Sequence, residues 1–188
     1  MRQDENISEK KLIALAKEGD MEAFESLVRK YQKSIYYLCH RMTGAHQSAD
    51  DLSQEAFIKA YISLSSFKDG MNFFTWLRKI AVNNNLNFLK VNKREELLGE
   101  KESTIPDDAS STNRELPQDK LQRNRLEQKF KEALMVLPAK QRIIFVLRFY
   151  ENQSYEEISQ ILNIPRGTVM SRLNRARKKL KALLADYM

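Results

Sequence analysis

The segment from Ser154 to Lys181, SYEEISQILNIPRGTVMSRLNRARKKLK, sets two helical apolar stripes on either side of a tight turn. Ser154 and Glu157 fit a Ser-x-x-Glu capping box, in which hydroxyl and carboxylate satisfy two orphan backbone donors at a helix start. Ile158, Ile161 and Leu162 form the first stripe, and Val169, Leu173, Ala176 and Leu180 form the second. Between them, Asn163 suits a left-handed helix end, and Pro165 stops the first helix because it lacks a donor and restricts the residue before it. Such a unit folds only as two short helices crossing at a steep angle around a shared apolar face.

The second helix is also densely basic. Seven cations, Arg166, Arg172, Arg175, Arg177, Lys178, Lys179 and Lys181, occur from Arg166 to Lys181 without one acid. A charge run by itself suits a solvated helix face. Joined to the turn, it is an electrostatic footprint for phosphate, with the first half of the second helix placed for the major groove. Thr168, Met170, Ser171, Arg172, Asn174 and Arg175 occupy that half or its outward positions. Arg reads guanine with a bidentate pair, Asn reads adenine, and Thr or Met meets a thymine methyl. Lys178 and Lys179 lie further along and suit phosphate contacts.

The rest of the chain is helical in pattern, with five Gly and four Pro among 188 residues. Ser8 is a candidate cap for a short helix ending at Gly19. Asp20 can cap a longer helix that Gly44 closes, and Ser48 with Asp51 forms another possible capping box. One segment, Glu95 to Asp119, breaks the periodicity with eight acids against two bases, together with Gly99, Pro106 and Pro117. That composition is a linker's. The expected architecture is all-α, with two small helical domains, residues 1–94 and 123–188, joined by a flexible acidic linker at 95–122.

The N-terminal domain carries a second unusual helix. From Phe73 it begins with Phe73, Phe74 and Trp76, and then runs through Asn83, Asn84, Asn85 and Asn87 with Arg78, Lys79, Lys90, Lys93 and Arg94. Rings and cations beside amides suit unpaired bases, since bases stack on rings while amides bond their exposed edges. Aromatics at helical spacing also build cores, and Trp76 fits that role as well. Four asparagines in five positions cost helix propensity, which points to a polar task.

Other function classes find little support. Cys39 and His40 are adjacent and His46 is the only other histidine, a poor zinc set and a poor nucleophile pair. No Walker loop or dinucleotide fingerprint is present. No cofactor, metal or catalytic residue is expected. No apolar run approaches the roughly 20 residues that span a bilayer. The N-terminus has no secretory core, and a single cysteine fits a reducing, cytoplasmic setting. The competing reading is a stand-alone helix-turn-helix regulator with an N-terminal helical sensor or dimerisation domain.

The order of DDLSQEAFIKAY (Asp50 to Tyr61), FFTWLRKIAVNNNLNFLK (Phe73 to Lys90) and the stretch from Leu137 to Leu180 resembles the extracytoplasmic-function (ECF, group IV) sigma factors of the bacterial sigma-70 family. The resemblance covers nearly all of the chain outside the linker. It implies a sigma2-like bundle that binds core RNA polymerase and melts the minus-10 promoter element, and a sigma4-like helix-turn-helix that reads the minus-35 element. Asp50, Asp51, Gln54 and Glu55 then match the surface docked on the polymerase clamp. The loop from Ser65 to Asn72, with Phe67 and Asn72, matches the pocket for a flipped minus-10 base. Trp76, Lys79, Asn83, Asn84, Asn87 and Lys90 follow along the minus-10 helix. Arg166, Thr168, Met170, Ser171, Arg172, Asn174, Arg175, Lys178 and Lys179 match the minus-35 contacts. The implied partners are core polymerase, duplex and melted promoter DNA, and an anti-sigma factor.

Three positions depart from the family pattern: Asn87 stands where Asp is common, Lys90 where Arg is common, and Met170 where Arg or Lys is usual. A thioether cannot donate to guanine, so the minus-35 sequence differs from the usual GGAAC-like core, or Arg166 or Arg175 supplies the contact. The linker is also long enough for two elements about 70 Å apart. The 25 residues from Glu95 to Asp119 extend to roughly 80 to 90 Å, against a relaxed span of about 25 to 30 Å. It must therefore be held extended.

Overall fold

The computed structural model describes residues 8–97 and 118–185, the side chains of 95–97 and 118–124 aside. Helices α1 (Glu9–Lys17), α2 (Met21–Thr43), α3 (His46–Ile62) and α4 (Phe73–Leu97) form the N-terminal half, with a single 3-10 turn at Leu64–Ser66. Helices α5 (Gln118–Met135), α6 (Ala139–Phe149), α7 (Tyr155–Leu162) and α8 (Arg166–Leu183) form the C-terminal half. Among the described residues there is no strand.

Local signals in the sequence account for most helix ends. The Asp20 carboxylate accepts from Ala23 N at 3.0 Å and opens α2, and Gly44 ends it in the left-handed region at φ 75°. The Gly44 amide thereby reaches the His40 carbonyl at 2.8 Å. Ser8 stands at the start of α1 but caps it with its carbonyl, without a side-chain cap bond. The capping box expected at Ser48 and Asp51 does not form. Helix α3 begins three residues earlier, at His46 with Ala45 in the cap position, because the Thr43 hydroxyl and the Ala45 backbone already turn the chain. Ser48 thus lies inside the helix, and Asp51 accepts instead from the Gln47 amide at 3.1 Å.

α2 is the spine of the first half and packs against α1, α3 and α4. Leu27, Ile35, Leu38, Met42, Phe73 and Leu77 are almost fully enclosed there, each contributing about 1.5–3 kcal/mol of transfer free energy. In the second half, α6, α7 and α8 close around Ile143, Ile144, Leu147, Ile158, Ile161 and Val169. The two halves also touch: α7 and α6 lie against α4, and α6 lies against α2.

α4 continues to Leu97, past the expected domain end at residue 94, and α5 starts at Gln118, before the expected start at 123. Glu95, Glu96 and Leu97 are good helix formers, and nothing in them stops a helix already under way. Most of the expected linker falls at 98–117, outside the described residues.

Candidate nucleic-acid interface

The C-terminal reader is built by the turn between α7 and α8. Ser154 accepts from Glu157 N at 3.2 Å while Glu157 Oε2 accepts from Ser154 N at 2.7 Å, a complete capping box. These bonds hold the Glu157 carboxyl below its usual range. Asn163 takes the left-handed conformation, φ 50° and ψ 51°, and Pro165 stands in the cap position of α8. The Ser159 hydroxyl donates to Ile164 O at 2.6 Å and pins the turn to α7.

With Val169, Leu173, Ala176 and Leu180 buried, the other faces of α8 are fixed outward. Arg166, Met170, Ser171, Asn174, Arg175, Lys178 and Lys179 are exposed, while Thr168 and Arg172 are half-buried. Met170 is 51% exposed. It lines an open depression of about 500 Å³ with Gly167, Ser171, Asn174, Arg177 and Tyr155. Lys179 is partly engaged, donating to Val136 O at 3.1 Å.

On α4 the expected residues separate into two groups. Lys79, Asn83, Asn87 and Lys90 are all exposed, and their spacing of four, four and three sets them in one ridge along the helix. The others are already in use. Asn72 caps α4, its Oδ1 accepting from Thr75 N at 2.9 Å. Phe67 is only 4% exposed and packs against Phe73 and Trp76, at ring separations of 5.6 and 5.2 Å. Trp76 is half-buried in the same cluster.

Asn84, expected as a base contact, is instead 5% exposed and accepts from Lys59 Nζ at 2.8 Å. Asn85 is fully enclosed, donating to Ala81 O at 2.8 Å and to Cys39 Sγ at 3.1 Å. Two of the four asparagines therefore serve the helical bundle. On α3, Asp50, Asp51 and Gln54 are exposed, and Glu55 is half-buried in an ion pair with Lys59 at 2.6 Å.

A cluster that sequence reasoning missed lies where the halves meet. Arg142, buried on α6, donates to the carbonyls of Met42, Met135 and Leu137. Glu151, in the turn after α6, stands between Arg41 at 3.6 Å and Arg78 at 3.7 Å. The one signal for it was an arginine in an otherwise apolar run, RIIFVL.

The sigma-70 region 2 pattern matches residues 27–95, and the sigma-70 region 4 pattern matches residues 127–180. The chain is 36% identical over 182 residues to the ECF RNA polymerase sigma factor SigW of Bacillus subtilis (strain 168), covering 94% of this chain and 97% of that protein. It is 34% identical over 184 residues to the RNA polymerase sigma-H factor of Pseudomonas aeruginosa, covering 96% and 95%. Its structure aligns with the sigma factor RpoE of Bartonella quintana, solved in complex with the anti-sigma factor NepR, at a TM-score of 0.65 and 27% identity, covering 88% of this chain and 98% of that one. With a helix-turn-helix in the C-terminal half and both sigma-70 patterns present in order, the chain belongs to the sigma-70 family as an ECF RNA polymerase sigma factor.

Proposed function

We propose that this chain is a group IV sigma factor that acts in the cytoplasm, binds core RNA polymerase and carries it to a restricted promoter set, with no catalytic activity of its own. Residues 1–94 and 123–188 act as separate readers joined by the acidic segment. The observation that carries the reading is the ridge of Lys79, Asn83, Asn87 and Lys90 in the same chain as a helix-turn-helix. A protein that reads duplex alone has no use for such a ridge, because amides and cations on one helix face suit exposed base edges and a single-strand backbone.

In this mechanism Arg166, Arg175 and Asn174 read base edges of the minus-35 element. Lys178 neutralises phosphate, and Met170 contacts a thymine methyl or another apolar edge. The α4 ridge holds the opened minus-10 strand, with the exposed side of Trp76 as a stacking surface. Phe67 and Asn72 act indirectly, by holding the start of α4. Asp50, Asp51, Gln54 and Glu55 dock on the polymerase clamp. An anti-sigma factor is the expected regulator, by analogy with the Bartonella complex.

Run-off transcription with purified core polymerase and the full chain tests the reading. Promoter-dependent transcripts are expected from a genomic fragment library. No stimulation on any fragment, together with tight binding of a palindrome by the chain alone, overturns it in favour of a stand-alone regulator.

A further inference from the structure

Helix α1 has no part in the sites above, yet both of its ends bear on the loop that precedes α4. At its start, Glu9 Oε2 accepts from Lys30 and from the Tyr31 hydroxyl. The Tyr31 ring in turn stacks on Phe74, with centroids 4.8 Å apart and planes 7° from parallel, and lies 5.9 Å from the Phe73 ring. Those two phenylalanines are the first residues of α4. At its other end, Lys17 donates to Asp69 Oδ1 at 2.7 Å, and its ammonium stands 5.5 Å from the centre of the Phe67 ring. The nine residues of α1 therefore brace the segment 67–72 from both sides.

Within that segment the two edges are fixed and the tip is not. Phe67 is locked by packing against Phe73 and Trp76, and Asn72 by its cap on α4. Between them Lys68, Asp69, Gly70 and Met71 are all exposed. A backbone bond from Met71 N to Lys68 O, long at 3.3 Å, turns the chain there. Gly70 sits at φ 87°, and beyond its chain neighbours no atom lies within 4 Å of where a Cβ would stand. Nothing packs on the turn, and glycine leaves its backbone many conformations. The tie from Lys17 to Asp69 restricts them. Its partners are unequal, with the Lys17 side chain 23% exposed and that of Asp69 90%. A covered stem in the last turn of a helix, where a cation is favoured, makes Lys17 the fixed point and Asp69 the tethered one.

We propose that Lys17 is a positioning residue for minus-10 opening: it holds the 68–71 tip in one conformation and neutralises Asp69, so that the opened strand meets a preformed loop. An exposed carboxylate beside a polyanion repels it, and an ammonium in contact with that carboxylate cancels the charge. A loop that is competent for only part of the time weakens binding by that fraction. The part in opening rests on the minus-10 reading above, whereas the tether itself does not.

NMR relaxation of the full chain tests the tether. Amide order parameters at Asp69, Gly70 and Met71 are expected near those of rigid backbone, about 0.85, and to fall below about 0.6 in Lys17→Gln with unchanged helical circular dichroism. Asp69→Ala, at an exposed position, is expected to do the same and keeps the test open should the Lys17 variant misfold. Lys17→Asp combined with Asp69→Lys exchanges the charges and is expected to restore order. A wild-type tip that is already mobile, or one as ordered in both single variants as in wild type, overturns the tether. For its role, holoenzyme is placed on a duplex from which the wild type initiates, and opening is followed by permanganate at unpaired minus-10 thymines. Lys17→Gln is expected to slow opening about fivefold, the size of an exposed ion pair together with a ring contact, at unchanged affinity for core polymerase and for a minus-35 duplex. The exchanged pair is expected to recover the rate. Loss of order without slower opening, or slower opening that the exchanged pair leaves unrepaired, overturns the positioning role. Failed run-off by wild type overturns the functional reading alone, because relaxation still decides the tether.

Discussion

Cys39 is the chain's only cysteine, and the structure encloses it completely. Burial pushes its thiol from 9.0 up to about 11, against a smaller opposing effect of the Asn85 amide. The thiolate fraction at a given pH is then about a hundredfold lower than for an exposed thiol. Alkylation by iodoacetamide at pH 8 should accordingly be at least about a hundredfold slower in the native chain than in guanidinium. The sign for stability follows from ionisation of the unfolded chain at lower pH. This contribution is complete below pH 9 and is lost as pH rises from 9 toward about 11, visible as a falling urea midpoint. On the DNA side, Arg175→Ala should change base preference at the minus-35 element, measured by binding to single-substituted duplexes. Lys179→Ala should weaken all of them alike and reduce the salt slope by roughly one unit.

At the level of elements, α7 depends on its two ends. Replacing Ser154 with Ala removes the hydroxyl half of the capping box and should cost about 1 kcal/mol by thermal or urea unfolding. Both ends of α7 were legible in the sequence because their causes are local: a hydroxyl three residues before a carboxylate, and an Asn followed closely by Pro. The start of α3 was less legible, since it is set by Thr43 and Ala45 rather than by the more conspicuous Ser48. The asparagine run shows the limit more clearly. All four residues share one chemistry, yet Asn83 and Asn87 face solvent while Asn84 and Asn85 face Lys59 and Cys39. The α4 periodicity separates these faces once the buried side is known. Which neighbours wait there is decided by α3 and α2, 25 and 46 residues away in sequence.

For the whole molecule, the seam was the least legible feature, because Arg41, Arg78, Arg142 and Glu151 come from four places that only the tertiary fold brings together. Arg142→Ala should leave three buried carbonyls without their donor. Its expected cost is about 1–3 kcal/mol for each carbonyl left unsatisfied, and scanning calorimetry should show two separated unfolding transitions where the wild type shows one. One further link runs between surfaces assigned to different partners. Lys59 divides a single ammonium between Glu55 on the outer side of α3, at 2.6 Å, and Asn84 on α4, at 2.8 Å. A ligand that takes Glu55 for itself changes the potential felt one helix away. In electrical terms the two helices share one charge, so a substitution at Glu55 alters the field at Asn84.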